Sequence, residues 1–443
     1  MSANALIAIA IFGGVFTLIF RGMVERKTAV MAGAGVMLLF GLVSGIYPLA
    51  QAIDAIYFET LALIFGMSLV SALLAKSGVF GVVAKRMAVH SMGNGWWVLV
   101  IFSLGTYGLS MLVNNLSAMV VILPVTLAIC HQIEINPIPI LIAEVVASNL
   151  GGASTMIGDF PNMIIASAAH LHFIDFISGM MVPCLILLAA MFAYFQWRRN
   201  DIDIDGGRSP GNGKLVAAMR DAVREQPYEP YLLKVGLVLL AAALVGFLVA
   251  ERFGLSPAWI ALWTGFLALS LGRFDRDSLF SACGGGDILF FTGLFVMVGG
   301  LAAAGVLRGF EWFIYGVSGG YEVLQLIVLM WLAAVAAIFL NAGAATAFLV
   351  PVAGDMYLSA GDPVVWWALS LGILAGSSAS LTGATAGSVA ASHLERFVAA
   401  HPEMRDTMSG NATLDFKSYL RWGLPIMFLF LVLSTIYVMI TAR

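Results

Sequence analysis

Of the 443 residues, 61% are hydrophobic and 11% are charged, against roughly 25% charged in an average soluble domain, so water is not the only solvent and an integral membrane protein is expected. The formal net charge of -3, from 22 Lys+Arg and 25 Asp+Glu, offers no basic face for a phosphate backbone and excludes nucleic acid as a partner. Cys130, Cys184 and Cys283 lie far apart without CxxC or Cys/His spacing, so they read as packing residues, with neither a disulfide framework nor a zinc site.

Residues 1–20 carry no charge, and the first basic residues, Arg21, Arg26 and Lys27, follow the apolar run at 3–20. That order opposes a cleaved signal and favours a first helix with its N-terminus outside. Further runs near the roughly 20 residues of a bilayer crossing fall at 28–46, 57–75, 173–196, 231–250, 287–307 and 420–441, with a shorter one at 256–271. Segments 96–130 and 323–358 are about twice a crossing and are interrupted by Asn114-Asn115 and by Asn341-Ala342-Gly343; each reads as a re-entrant hairpin. Segments 138–169 and 363–394 are broken by GGAST at 151–155 and GSSAS at 376–380. Each of these reads as one discontinuous crossing.

The polar stretch at 198–230 divides the apolar chain almost evenly, giving a first half at 1–197, a linker and a second half at 231–443. Three pairs of segments match in order: LIFGMSLVSALLAKSGV at 63–79 with FFTGLFVMVGGLAAAGV at 290–306, NNLSAMVVILPV at 114–125 with NAGAATAFLVPV at 341–352, and GGASTMIGD at 151–159 with GSSASLTGA at 376–384. Their offsets are 227, 227 and 225, which argues for duplication. With about ten full crossings and two hairpins, 19 of the 22 Lys/Arg fall on one side, the inside, leaving only Arg252, Arg308 and Arg443 opposite. Both termini are then outside, and the halves of five crossings are inverted relative to each other. The fold class expected is an all-α membrane protein with broken helices at the midplane, an architecture of secondary transporters.

A helix broken inside lipid frees backbone polar groups, which is tolerable only in protein or at a wet cavity. The breaks therefore mark the candidate site. Its neutral ligands are Asn114, Asn115, Ser117, Gly151, Gly152, Ser154, Thr155 and Asn162 in the first half, and Asn341, Thr346, Ser377, Ser378, Ser380 and Thr382 in the second. Small residues at such places also simply allow close helix packing. Glu144 and Asp159 are read on either side of the first break, with no Lys or Arg in the core of any span; they are the candidates for proton coupling, since burial of a carboxyl favours its neutral form. Asp287, Glu59, Asp54 and Asp175 are read as interfacial, with a minor role in ion entry. His170 and His172, two apart, do not face one ligand. Neither a P-loop GxxxxGK[ST] nor HExxH occurs, and no enzyme, cofactor or metal site is expected.

The segments LALIFGMSLVSALLAKSGVF, NNLSAMVVILPV and above all AEVVASNLGGASTMIGDFPN resemble the ion transporter superfamily of NhaD-type sodium/proton antiporters, ArsB-type arsenite permeases and the melanosomal P protein; the last is similar to that family's SNIGGTATLIGDPPN. YFETLALIFGM and SACGGGDILFFTGLFVMVGG resemble a magnetosome-membrane branch of it. The resemblance implies a bacterial inner-membrane carrier of protons or sodium, sorted to magnetosomes, working in a lipid bilayer as a homodimer and serving iron mineral formation. The family commonly has Asp-Asn at both hairpin tips, where this chain has Asn114-Asn115 and Asn341-Ala342, and GGNGTLIGASAN where this chain has GSSASLTGATAGS. The lost acids leave a permease for arsenite or another neutral hydroxide or oxyanion as the alternative, and a non-transporting scaffold as a third reading.

Overall fold

The computed structural model describes residues 2–91, 94–202, 228–402, 404 and 413–442, and over these residues the chain is helical without strands. The first half contains α1 (Ala3–Phe20), α2 (Arg26–Ser44), α3 (Leu49–Asp54), α4 (Phe58–Lys76), α5 (Val79–Ser91), α6 (Gly95–Ser110), α7 (Asn115–Gln132), α8 (Ile138–Ala153), α9 (Phe160–Ala169) and α10 (Phe173–Trp197). A short α11 (Arg199–Ile202) opens the polar stretch, of which residues 203–227 lie outside the described residues. The second half follows with α12 (Pro230–Ala250), α13 (Pro257–Leu271), α14 (Arg276–Ala282), α15 (Gly285–Ala303), α16 (Val306–Ser318), α17 (Glu322–Leu340), α18 (Ala342–Ala360), α19 (Val364–Ala379), α20 (Gly387–Ala400) and α21 (Phe416–Thr441).

Among the described residues, nine helices are long and apolar enough to cross a membrane: α1, α2, α4, α7, α10, α12, α15, α17 and α21. This count differs from a simple tally of ten crossings for a geometric reason. α7 and α17 belong to the hairpins, α13 has only 15 residues, and each broken crossing is split into two shorter helices. The short helices α3, α5, α14 and α16 have no counterpart in the apolar runs, because at 6 to 13 residues they are too short to register as spans.

The helix order of the first half recurs in the second. Gly285 at the start of α15 lies 227 positions after Phe58 at the start of α4, and both helices have 19 residues; α5 and α16 have 13 each, and α8 and α19 have 16 each. Packing recurs too. α2 lies on α15 and α13 on α4; α6 lies on α8 and α17 on α19; α7 lies on α20 and α18 on α9. α8 and α19 also meet each other, as do α10 and α21.

α8 and α19 form the centre, for all 16 residues of each are buried. α1 and α12, by contrast, leave large apolar side chains such as Leu6, Ile7, Val238 and Val245 exposed, as lipid contact requires. Close approach to the central helices depends on glycine. A Cβ at Gly151 would overlap the carbonyl of Tyr107 in α6, and one at Gly376 would overlap the carbonyl of Ala334 in α17. Backbones that close leave no room for a methyl group.

Overpacking at such a point costs on the order of 1–3 kcal/mol. Gly376→Ala and Gly66→Ala, whose Cβ would overlap the Ala261 carbonyl, are each expected to lower the midpoint of thermal unfolding in detergent by several degrees, while Gly14→Ala, with nothing within 4 Å, leaves it unchanged. An unaltered midpoint for both tight positions would contradict the helix spacing described here.

Candidate functional site

The first hairpin turns over between Ser110 and Asn115, with Asn114 as the N-cap of α7. Asn114 Oδ1 accepts the Leu116 N–H at 2.9 Å, and the Asn114 N–H donates to Ser71 Oγ of α4 at 3.1 Å. This tip meets the first broken helix, where α8 stops at Ala153 and α9 starts at Phe160. Between the Ser154 N–H, which still bonds the Leu150 carbonyl, and the Asp159 carbonyl, which accepts the Met163 N–H, the helical ladder is interrupted, and side chains bond the freed backbone groups. Asn162 Nδ2 donates to the carbonyls of Ala153 at 2.8 Å and Thr155 at 2.9 Å, and its Oδ1 accepts from Ser370 Oγ of α19 at 2.9 Å. Thr155 Oγ1 donates to the Met111 carbonyl at 2.7 Å, which ties the break to the hairpin tip. Ser154 Oγ donates to the Leu150 carbonyl and pairs with the Tyr107 hydroxyl, both at 2.8 Å. Asp159 caps α9, its Oδ1 accepting the Phe160 N–H at 2.9 Å.

Asn115 is different. It is 1% exposed, yet neither Nδ2 nor Oδ1 has a partner, and an unmade hydrogen bond in a buried place costs about 1–3 kcal/mol. A Cβ on Gly152 would lie 2.8 Å from Asp159 Cβ and 3.0 Å from both amide atoms of Asn115. Asn115 and Asp159 thus pack closely on Gly152, which leaves no room for a methyl group, and an uncommitted amide meets an acidic residue at the break.

The second break is built from hydroxyls that are all committed. Asn341, at φ +71, caps α18 by accepting the Ala344 N–H at 3.1 Å. Ser380 Oγ donates to the Ile338 carbonyl at 3.0 Å and accepts the Gly383 N–H at 2.9 Å, and Thr382 Oγ1 donates to the same Ile338 carbonyl at 3.2 Å. Thr346 and Ser378 each donate to a carbonyl one turn earlier in their own helix, at 2.8 Å. Ser377 donates to the Leu374 carbonyl at 3.0 Å and accepts from Asn149 Nδ2 of α8 at 3.4 Å. Asn149 Oδ1 is left without a partner. Asn149 was not among the residues singled out from sequence, although its place one turn before the glycine pair of the broken motif was a usable signal.

Glu144 does not stand beside the break. It lies nine residues before Ala153 in α8, about 14 Å along the axis at roughly 1.5 Å per residue. It is 0% exposed, its Oε1 accepts from Thr126 Oγ1 of α7 at 2.6 Å, and its Oε2 has no partner. Glu144 and Asp159 do lie on either side of the break, but only Asp159 is beside it, since nine residues of helix separate Glu144 from Ala153.

Cavities approach the hairpin tips from the side of Arg26, Lys27 and Lys76. One of about 730 Å³ is lined by Asn114, Leu116, Ser117, Asp275 and Asp287, and a second of about 140 Å³ reaches Asn341, Phe160, Phe291 and Asp287. Ser117 thus faces open space, and Asp287 belongs to both cavities. At another place a cavity of about 210 Å³ is lined by Glu59, Met156, His170 and His172. His172 Nδ1 lies 3.7 Å from Asp175 Oδ2, which accepts the His172 N–H at 2.7 Å, so this histidine belongs to the start of α10. The stretch GVSGG at 316–320 has the GxSxG spacing of a nucleophile elbow, but Ser318 ends a helix and donates to the Tyr315 carbonyl at 3.0 Å. It is no elbow, since that motif needs a strand before it.

The profile of the citrate transporter family CitMHS matches residues 7–372 and 252–441. The magnetosome protein MamN of Magnetospirillum gryphiswaldense is 45% identical over 441 residues, 98% of this chain and 99% of that protein. The P protein of Mus musculus is 37% identical over 197 residues, 43% of this chain and 24% of that protein. The crystal structure of the Alcanivorax borkumensis YdaH transporter, described as having an unusual topology, superposes with a TM-score of 0.56 over 96% of this chain and 97% of that one. At 13% identity that likeness is one of fold.

Gly152→Ala presses a methyl group against Asn115 and Asp159 without removing a polar group. Binding of the transported species, measured by titration calorimetry on purified protein, is expected to weaken at least tenfold while the protein stays folded and monodisperse; unchanged binding would place the site elsewhere.

Proposed function

The chain belongs to the CitMHS citrate transporter family and is a multi-pass secondary transporter, and from that premise we propose that it exchanges a small inorganic cation, sodium first, for protons. The observation that carries this reading is the meeting of Asp159 with the unpartnered amide of Asn115 at Gly152. Asp159 is the ionisable residue of the break, the Asn115 amide beside it is uncommitted, and among the described residues no lysine or arginine forms an ion pair with Asp159. A carboxylate without a basic partner suits a cation or a proton. Citrate or another polycarboxylate would meet a like charge there. The basic residues nearest the tips stay at the cavities, and Lys76 is committed to the carbonyls of Gly272 and Arg273.

The two halves, 1–197 and 231–443 about the linker 198–230, act in this proposal as inverted repeats, with the break at the protein centre reached in turn from either side. Recurring helix order, exchanged packing partners and separate cavities support it. The 45% identity to a magnetosome protein supports placing the transporter in a bacterial magnetosome membrane. A second reading, a permease for arsenite or a similar neutral hydroxide, is favoured by one observation: every side chain named at the second tip and break is neutral.

The test is purified protein in liposomes, with internal pH followed after imposed gradients of sodium, potassium, arsenite and chloride. Sodium is expected to drive proton movement. Asp159→Asn abolishes it, and Asn115→Ala raises the half-saturating sodium concentration about tenfold, the loss of one hydrogen bond to a charge at roughly 1.5 kcal/mol. Arsenite flux without proton movement, or full exchange by Asp159→Asn, would overturn the antiport reading.

A further inference from the structure

Glu144 takes no part in the break, yet it is a fully buried carboxyl with a free Oε2. α8 carries it into a contact with α6 that is lined by hydroxyls. Ser103, Thr106 and Ser110 recur at i, i+3 and i+7 on one face of α6, and Ser148 sits one turn after Glu144 on α8. All four are 0% exposed. Ser110 Oγ and Ser148 Oγ pair at 3.0 Å, while Ser103 Oγ and Thr106 Oγ1 have no partner.

The second half supplies an internal control. Gly151 closes on the Tyr107 carbonyl as Gly376 closes on that of Ala334, so the two helix contacts share one register. Counted from those anchors, Ser103, Thr106 and Ser110 correspond to Met330, Ala333 and Ala337, while Glu144 and Ser148 correspond to Leu369 and Ile373. The same helix contact is made there by apolar side chains alone, so packing does not require the hydroxyls. Buried hydroxyls without partners cost stability unless internal water satisfies them. They also lead somewhere: the Ser110 backbone lies against Gly158, the residue before Asp159.

We propose that Glu144, the hydroxyls of Ser103, Thr106, Ser110 and Ser148, and internal water form a buried proton path along the α6–α8 contact that ends at Asp159. It rests on the proton-coupled reading above. Glu144 lies about one turn from Ser148, roughly 6 Å of helix, a gap that one water spans. A proton leaves the Glu144 carboxyl for the neighbouring oxygen, each hydroxyl accepts one proton on a lone pair while releasing its own onward, and the Asp159 carboxylate receives the last. The Glu144 carboxylate left behind must regain a proton from bulk solvent before the next cycle, so no group is consumed. Cys130 of α7 is the titratable group beside Glu144; on α6, Tyr107 is held by Ser154.

The test is infrared spectroscopy of the full chain in lipid, on the carbonyl stretch of a protonated carboxyl assigned by its disappearance in Glu144→Gln. On transfer to D2O, exchange of that proton is expected to slow at least tenfold in the Ser103→Ala/Thr106→Ala/Ser148→Ala variant. If the triple variant fails to fold, Ser148→Ala alone slows exchange and Ser148→Thr restores it. Exchange at the wild-type rate in the variants, or the absence of a Glu144 band, overturns the path. The liposome assay separates the two proposals. Wild-type protein without sodium-driven proton flux defeats the antiport reading, whereas wild-type flux left unchanged by the triple variant defeats only the path.

Discussion

A helix interrupted inside a membrane frees backbone donors and acceptors that lipid cannot satisfy, and the rest of this structure follows from how that demand is met. The first break answers it with Asn162, whose amide closes two carbonyls of the broken turn while its oxygen is held from the other half by Ser370. The second break answers it with Ser380 and Thr382 on the Ile338 carbonyl. Each is a polar residue that a ligand hypothesis would claim, and each has spent its hydrogen bonds on the protein itself. What remains for a substrate is what these groups leave over: the Asn115 amide, one oxygen of Asn149 and the carboxyl of Asp159. The broken helix makes a site possible, and its repair decides how small that site is.

Duplication gives the two halves the same spacing between central helices, set by Gly151 and Gly376 against matched carbonyls. Function must then come from where the halves differ. Asp159 stands in the first half where the second has Ala384, and the hydroxyl-lined face of α6 meets Ala and Met at the matching positions of α17. In the proposed exchange the first half would provide the acidic chemistry, while the second contributes the hydroxyls of Ser370 and Ser377 to Asn162 and Asn149. That division follows from electrostatics: two uncompensated carboxyls near one centre would raise the cost of leaving the site empty, whereas one is enough to bind one cation.

Much of the architecture was legible in the residues, because lipid enforces a simple code. Long apolar runs had to be spans, and Asn114-Asn115, Asn341, GGAST and GSSAS could only be interruptions. The hairpins, both breaks and the recurrence near 227 positions all correspond to helix boundaries in the structure. Other features were not legible, for reasons specific to each. Short helices such as α5 and α16 carry no span-length signal. Glu144 looked close to the break because sequence distance does not reveal that the intervening nine residues stay helical. Thr155 and Asn162 were legible as polar groups at the break, but whether such a group faces a ligand or a freed carbonyl depends on the partner elements. That Asp287 borders two cavities was not legible either, since it depends on how α15 packs against α2 and α4.

The lack of a basic partner at the break carries one more consequence for the proposed exchange. An ionised carboxyl drawn away from water costs several kcal/mol when nothing compensates it, so a conformation that closes over an empty, charged Asp159 is disfavoured. Either a proton or a metal cation removes that cost, and a single carboxylate is neutralised by one positive charge at a time. Passage between inward-facing and outward-facing forms is then permitted with the carboxyl protonated or with the cation bound, and hindered with neither. Obligate exchange of one positive species for another needs no separate coupling device under that condition. It needs a carboxyl that has no lysine or arginine within reach, and the central helices of this protein supply one.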